Sequence, residues 1–197
     1  AFAEANDLIV CSDEIHCGLI LDADKRHIPF ASLSPDAAKR SITLMAPSKT
    51  YNIPGLGVAF AIIPDDSLRR RFHAAMAGIT PHPNILGMVA TTAAYRDGLP
   101  WRSALLDYLR QNRELVMGLD GKFGLKVIKP EATYLAWIDC RESGIDNPQA
   151  FFEAAGVGLS EGSDFGGQGF VRLNFGCPRA VLETALERML TALNDAA

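Results

Sequence analysis

Ala-Pro-Ser-Lys-Thr-Tyr-Asn, residues 46–52, comes directly after an apolar run at residues 42–45. A second apolar run, at residues 8–11, stands just before Asp13. Short, continuous apolar runs of this kind are typical of buried parallel strands in an α/β sheet. Because the carboxyl ends of parallel strands meet at one edge of a sheet, the pattern predicts Lys49 and Asp13 in one pocket at that edge.

A lysine and an aspartate in such a pocket favour one kind of chemistry. The amine of Lys49 can form a Schiff base with an aldehyde. The carboxylate of Asp13 can pair with a protonated pyridine nitrogen. Pyridoxal phosphate carries both an aldehyde and a pyridine ring, so these two residues indicate pyridoxal phosphate as the cofactor.

The size and charge of the chain narrow the classes of protein it can belong to. It has 197 residues, of which 48% are hydrophobic and 21% charged, as in an ordinary soluble protein of one or two domains. A net charge of −4 gives no reason to expect nucleic acid or an anionic membrane as a partner. No apolar run approaches the ~20 residues of a membrane span, and no secretory leader is visible, so we expect a cytoplasmic protein.

The cysteines support a reducing compartment and give no sign of a metal site. Cys11, Cys17, Cys140 and Cys177 match neither a paired zinc motif nor a disulfide framework. Cys11, His16 and Cys17 lie close in sequence, but their spacing is not that of zinc ligands, and we expect Cys11 to point into the core. We therefore expect no bound metal.

Helical periodicity divides the chain into two parts. Residues 65–67 should open one helix, and Asn84 should cap the next, which is unusually apolar and is expected to pack on several sides. A long amphipathic helix then runs over residues 101–119, and the strands and helices beyond it form a smaller α+β unit. We predict two domains, residues 1–100 and 101–197. Because an apolar run follows Ala1 almost at once, we expect the chain to begin inside the first of them.

Four blocks of sequence occur in an order that resembles a known family. They are Ser-Asp-Glu-Ile-His at 12–16, Ser-Lys-Thr-Tyr-Asn-Ile-Pro-Gly-Leu at 48–56, Thr-Tyr-Leu-Ala-Trp-Ile-Asp at 133–139 and Phe-Val-Arg-Leu-Asn-Phe-Gly-Cys-Pro-Arg at 170–179. Over nearly its whole length the chain is similar to the C-terminal part of pyridoxal-phosphate enzymes of the MalY/PatB type, which are cystathionine β-lyases or cysteine-S-conjugate β-lyases. The resemblance implies an α/β fold, namely that of class I/II aminotransferases (fold type I). It places part of the cofactor-binding large domain in residues 1–100 and the small C-terminal domain in residues 101–197.

The resemblance also implies roles for five residues around the cofactor. Lys49 matches the lysine that forms the Schiff base, and Asp13 matches the carboxylate at the pyridine nitrogen. Ile15 is expected against the face of the ring, and His16 near its phenolic oxygen. Ser48 is expected to contact the phosphate group.

For the substrate, the resemblance implies an arginine. Arg172 matches the residue that binds the α-carboxylate, where a planar guanidinium can make two parallel hydrogen bonds. At two positions the chain departs from its relatives, with Ala46 in place of a serine and Phe165 in place of a tyrosine. The N-terminal half of the relatives, which supplies much of the cofactor pocket, has no counterpart here. We therefore expect a homodimer or an association with the missing N-terminal part.

The reaction that the resemblance implies is α,β-elimination on a small amino acid. Cystathionine or another cysteine S-conjugate would yield a thiol, pyruvate and ammonia. Transamination uses the same residues, and the sequence leaves that alternative open. A third interpretation, of another class, is a catalytically silent fragment that acts only as a protein-binding or regulatory module. In either enzyme interpretation, the fragment alone is expected to be inactive.

Overall fold

A computed structural model of the protein describes residues 1–196, and its fold has two compact units. The first comprises Ala1–Ser103 and the second Ala104–Ala197. The boundary lies within one long helix, α5 (Leu99–Met117). Among residues 1–196, none of the helices combines the length and the apolar character needed to cross a membrane.

The first unit is built on a three-stranded sheet in the order β1-β2-β3. β1 (Val10–Asp13) runs parallel to β2 (Ser41–Met45), and β2 runs antiparallel to β3 (Phe60–Ile62). The register pairs Asp13 with Leu44, so the carboxyl ends of β1 and β2 lie side by side. The segment that connects these two strands is mostly loop, and its helices are a 3-10 helix at Phe30–Ser32 and α2 (Pro35–Lys39).

The helices of this unit begin where the capping residues predict. The Asp65 side chain accepts a hydrogen bond of 2.7 Å from the Leu68 N–H at the start of α3 (Asp66–Met76). Asn84 accepts one of 2.7 Å from the Gly87 N–H at the start of α4 (Ile85–Asp97). Each cap satisfies a backbone donor that the helix itself cannot. The short α1 (Phe2–Ala5), by contrast, was not predicted.

Burial in the first unit differs from two expectations. Cys11 is exposed, so the prediction that it points into the core is wrong. The reason is that β1 is an edge strand, and Leu8 and Ile9 just before it are 44% and 47% exposed. On α4, Ile85 and Leu86 are 66% and 69% exposed, whereas packing on several sides was expected. Within residues 1–196 the apolar surface of α4 is thus largely open to solvent.

The second unit is a four-stranded antiparallel sheet with helices. Its strands, in the order β4-β5-β7-β6, are β4 (Lys126–Ile128), β5 (Leu135–Asp139), β6 (Ser160–Glu161) and β7 (Phe170–Asn174). The other elements are most of α5, α6 (Pro148–Ala154) and α7 (Arg179–Ala196). α7 buries one apolar stripe, which consists of Leu182, Leu186, Met189 and Leu193. Together with buried residues of the sheet, this stripe forms the core of the unit.

Candidate active site

Asp13 and Lys49 follow two neighbouring parallel strands at the same edge of the first sheet. Asp13 is the last residue of β1 and pairs with Leu44. Lys49 lies in the turn that follows β2. The Asp13 side chain is exposed, whereas Lys49 is half-buried. The structure therefore presents a carboxylate and an amine from adjacent strand ends.

The turn after β1 is ordered by hydrogen bonds of its own backbone. The Ile15 N–H donates to Asp13 Oδ1 at 3.3 Å, which orients the carboxylate. The Cys17 N–H donates to the Glu14 carbonyl at 3.0 Å, and the Leu19 N–H donates to the His16 carbonyl at 2.9 Å. This turn therefore carries Asp13, Ile15 and His16, three of the five residues predicted around the cofactor.

Glu14, beside Asp13, is the buried charge of this turn, and its contacts are those of a structural partner. It is 6% exposed and accepts hydrogen bonds from Ser12 Oγ and from the Phe30 N–H, both at 2.9 Å. His27 Nε2 lies 2.6 Å from its other oxygen. Burial raises the pKa of Glu14, but the bonds from His27, Phe30 and Ser12 outweigh burial and hold it below the ordinary value.

The Lys49 turn is fixed in a comparable way. The Tyr51 N–H donates to the Pro47 carbonyl at 2.8 Å, and the Ile53 N–H donates to the Ser48 carbonyl at 3.2 Å. Asn52 adopts a left-handed φ of 54°, a conformation that asparagine tolerates better than most residues. Ser48 and Lys49 are half-buried in this turn. Their position is thus set by backbone bonds on both sides.

A close contact between the backbone of Gly18 and the side chain of Thr50 joins the two turns. A Cβ atom at Gly18 would lie 2.6 Å from Thr50 Oγ1 and 2.7 Å from Thr50 Cγ2, so there is no room for a side chain there. Thr50 itself is 6% exposed. Because Thr50 directly follows Lys49, this contact helps to set the separation between the Lys49 turn and the turn that carries Asp13.

An aromatic cluster holds Tyr51, two residues after Lys49. The ring of Tyr51 meets that of Tyr95 edge to face at 5.7 Å and that of Trp101 at 6.3 Å. Gly98 leaves space for it, since a Cβ there would lie 2.6 Å from Tyr51 Cε1. The cluster gives the Lys49 turn a rigid support.

Arg172 lies in the second unit, which is described here by itself. It stands on β7, between Trp137 of β5 and Ser160 of β6 in the register of the sheet. One guanidinium nitrogen donates to Ser160 Oγ at 3.2 Å, and the guanidinium carbon lies 4.0 Å from the centre of the Phe165 ring. Within residues 1–196 Arg172 forms no ion pair with a carboxylate. Its charge is thus available to an anion from outside this part of the chain.

Aromatic side chains surround this arginine. Trp137 stacks on Phe170 at 5.3 Å and meets Phe165 edge to face at 6.1 Å. With Gly166, Gly167 and Arg172, these rings line an open cavity of about 520 Å³. Trp137 lies in one of the four blocks of sequence, but nothing in its own position identified it as a neighbour of Arg172. The pairing became visible only through the register of β5 and β7.

The residues present suit pyridoxal phosphate. The first unit offers an oriented carboxylate for the pyridine nitrogen, an amine for the aldehyde, and a hydroxyl at Ser48 for the phosphate. The structure brings Asp13, Ile15, His16, Ser48 and Lys49 to one edge of one sheet. Among residues 1–196, no cluster of three or more histidine, cysteine, aspartate or glutamate side chains is arranged to hold a metal ion.

Comparison with known proteins identifies relatives that match nearly the whole of this chain. PatB, a cystathionine β-lyase of Bacillus subtilis (strain 168), is 40% identical over 197 residues, which cover 94% of this chain and 50% of that protein. The crystal structure of OvoB superposes with a TM-score of 0.94 at 53% identity, covering 98% of this chain and 51% of OvoB. The pyridoxal-phosphate-bound C–S lyase of Staphylococcus hominis superposes with a TM-score of 0.86 at 35% identity, covering 97% of this chain and 50% of the lyase. The chain thus spans about half the length of the relatives it matches.

Relatives named as aminotransferases are more distant among the curated sequences. Two of them match at 28% and 26% identity. The predicted α/β fold is confirmed, since the solved structures that the chain matches share it along nearly the whole of this chain. The model of the family "Aminotransferase class I and II" matches residues 1–189. The chain therefore belongs to the class I and II aminotransferase family.

Proposed function

We propose that this chain is part of a pyridoxal-phosphate-dependent carbon–sulfur lyase. The substrate would be a cysteine S-conjugate such as cystathionine, which with water would give a thiol, pyruvate and ammonia. The observation that carries the proposal is the placement of Asp13 and Lys49 at the ends of adjacent parallel strands. The similarity to PatB and to the C–S lyase of Staphylococcus hominis supports a lyase in particular.

Lys49 is the residue that moves the proton in this proposal. Its Nζ would hold the cofactor and, when free, would accept the proton from the substrate Cα. The electron pair left on Cα then forms the Cα–Cβ double bond, and the Cβ–S bond breaks with its electrons going to sulfur. Pyridoxal phosphate supplies a conjugated ring that accepts negative charge from Cα while this occurs.

Asp13 and Arg172 act by charge. The Asp13 carboxylate, oriented by the Ile15 N–H, keeps a proton on the pyridine nitrogen. Arg172 binds the substrate α-carboxylate through two parallel hydrogen bonds, which fixes the orientation of the Cα–H bond. We assign to Ile15 contact with the ring face, to His16 a bond to the phenolic oxygen and to Ser48 a bond to the phosphate.

We further propose that the chain works within a longer polypeptide of the length of its relatives. The exposure of Ile85 and Leu86 on α4 supports this, because large apolar surfaces of this kind are normally covered. So does the open edge of β1. Association as a homodimer is part of the same proposal, and light scattering on the full-length protein measures it. A monomer would refute the dimer.

The test of the function uses the full-length protein with Lys49→Ala, and Lys39→Ala as the control. Lys39 is an exposed lysine at the end of α2, so its loss should change nothing. Borohydride treatment fixes pyridoxal phosphate to the amine that holds it, and peptide mass mapping then locates the label. We expect the label on the peptide with Lys49 and no turnover in Lys49→Ala. A label elsewhere, or turnover at the wild-type rate, would refute the assignment.

The products distinguish the lyase from the alternatives. Release of pyruvate from cystathionine without any added keto acid indicates the lyase. Keto-acid-dependent amino transfer without pyruvate release would indicate an aminotransferase. An aminotransferase is the second candidate because the family includes such enzymes among its more distant curated members. Absence of any cofactor absorbance band after addition of pyridoxal phosphate would instead favour a silent binding module.

A further inference from the structure

Glu14 connects two stretches of the first unit that are far apart in sequence. Its carboxylate accepts from Ser12 on β1 and from the Phe30 N–H, while His27 Nε2 lies 2.6 Å away. A carboxylate only accepts hydrogen bonds, so the proton in the His27 contact lies on the imidazole nitrogen. The backbone N–H of Glu14 donates to the Leu44 carbonyl at 3.0 Å, which continues the ladder between β1 and β2. Glu14 thus ties the end of β1 to β2 and to the loop at residues 27–30.

Glu14 is too buried to act on a substrate. Its side chain is 5% exposed, and both oxygens are engaged. A general acid or base needs a free path to the proton it transfers. The contacts therefore describe an anchor, and the burial of the charge is compensated by charge-assisted bonds.

The anchor holds the turn on which Asp13 lies. Asp13 precedes Glu14, and Ile15 follows it with the N–H that orients the Asp13 carboxylate at 3.3 Å. Without the side-chain bonds of Glu14, the turn would be held only by backbone bonds, from the Glu14 N–H to Leu44 and from the Cys17 N–H to Glu14. The direction of the Asp13 carboxylate would then be less firmly fixed.

We propose that Glu14, held by His27, is a positioning residue that fixes the direction of the Asp13 carboxylate for the pyridine nitrogen of the cofactor. The catalytic part of this inference rests on the proposed function. The anchoring part rests only on the contacts of Glu14, and the two parts are measured separately.

The anchoring is tested by amide hydrogen exchange on the full-length protein. Glu14→Gln removes the charge at nearly constant volume, and His27→Gln is a milder variant that leaves two of the three partners in place. The control is Asp24→Asn, an exposed carboxylate in the same loop as His27. We expect exchange at the Ile15 and Phe30 amides to accelerate roughly tenfold in Glu14→Gln, which corresponds to the loss of one net hydrogen bond. Wild-type exchange at both amides would overturn the anchoring.

The positioning is tested by steady-state kinetics on the full-length protein. We expect kcat of Glu14→Gln to fall roughly tenfold, the lower end of what removing a supporting hydrogen-bonded group costs at metal sites, with KM unchanged. The absorbance of the bound cofactor should also change its pH profile, because a misdirected Asp13 no longer holds the ring proton as firmly. Faster exchange with kcat, KM and pH profile equal to those of Asp24→Asn would show a purely structural residue and overturn the proposal.

The two failures are distinguishable. A wild-type protein that binds no pyridoxal phosphate would refute the proposed function and, with it, the role of Glu14 toward the cofactor. The exchange measurement would still decide whether Glu14 anchors the turn.

Discussion

The guanidinium of Arg172 lies over the ring of Phe165, with 4.0 Å between the guanidinium carbon and the ring centre. One nitrogen of the same group donates to Ser160 Oγ. The ring covers one face of the cation, and the hydroxyl fixes its rotation in the plane. The edge that remains is the part of an arginine that binds a carboxylate with two parallel bonds. Phe165, which the sequence marks as a departure from its relatives, thus lies against the proposed substrate-binding residue.

Replacing Phe165 should therefore weaken substrate binding. Phe165→Leu removes a cation–π contact of about 0.5–2 kcal/mol, so we expect KM for the amino-acid substrate to rise roughly 2- to 30-fold. Phe165→Tyr keeps the ring and should stay near wild type. Steady-state kinetics of the full-length protein measure both. Phe123→Leu, at a partly exposed ring of the second unit, is the control. Equal KM values in Phe165→Leu and the control would contradict the prediction.

The approach of Gly18 to Thr50 gives a second prediction. Gly18→Ala would place a Cβ 2.6 Å from Thr50 Oγ1, and such overpacking costs typically ~1–3 kcal/mol. We expect the free energy of unfolding of the first unit to fall by that amount. Gly55→Ala is the matched control, because nothing lies within 4 Å of a Cβ there.

A double mutant isolates that contact. Gly18→Ala combined with Thr50→Ala removes both clashing Thr50 atoms and should be less destabilised than the sum of the single changes. Urea denaturation of the four proteins measures the coupling. Strict additivity would show that the clash with Thr50 is not the cause of the destabilisation in Gly18→Ala.

The parts of the fold that depend on local interactions could be predicted from the sequence. Asp65 and Asn84 mark the starts of α3 and α4, because each cap bonds to a backbone group three residues along the chain. β6 (Ser160–Glu161), by contrast, was not predicted. It has only two residues, and it exists because it pairs with β7, which a local pattern does not reveal. The exposure of Cys11 also depends on what covers β1, not on the apolar run itself.

The site was predictable to a similar extent. Lys49 and Asp13 could be proposed because each follows an apolar strand, and the ends of parallel strands coincide. The contact of Glu14 with His27 could not be, because the two residues lie 13 positions apart along an irregular stretch of chain. Neither could the cover of Arg172 by Phe165, since it requires the turn at Gly162–Phe165 to fold back over the strand.

The division into domains at residues 1–100 and 101–197 remains a proposal, and Phe152 tests it. Its side chain is fully buried in the second unit and meets Phe151 edge to face at 5.2 Å. Phe152→Ala should destabilise that unit by about 3–5 kcal/mol. If the two parts unfold independently, amide exchange of core residues in the first unit should keep its wild-type rates. A matching acceleration in β2 would show that the chain unfolds as one body.

The cysteines should differ sharply in reactivity. Burial raises the pKa of the Cys140 thiol to about 12, so only about one molecule in ten thousand carries the reactive thiolate there at pH 8. Cys11 is exposed on β1. We expect iodoacetamide to label Cys11 of this chain within minutes and to leave Cys140 unlabelled, as read by peptide mass mapping. Rapid labelling of Cys140 in the folded protein would contradict its burial.

The buried Glu14 should make stability depend on pH in a defined direction. Its hydrogen bonds hold its pKa below the ordinary value of 4.5, so the unfolded chain binds a proton more readily than the folded one. The stability that Glu14 contributes is therefore complete above pH 4.5 and is lost as the pH falls through the lower pKa of the folded state.

We expect Glu14→Gln to cost about 1.5–3 kcal/mol at pH 7, the usual worth of hydrogen bonds to a charged group. That difference from wild type should shrink steadily below pH 4.5. Asp24→Asn should show no such pH-dependent difference, and urea denaturation at pH 7, 5, 4 and 3 measures all three proteins. A Glu14→Gln deficit that stayed constant down to pH 3 would mean that volume or geometry, and not the charge of Glu14, stabilises the turn.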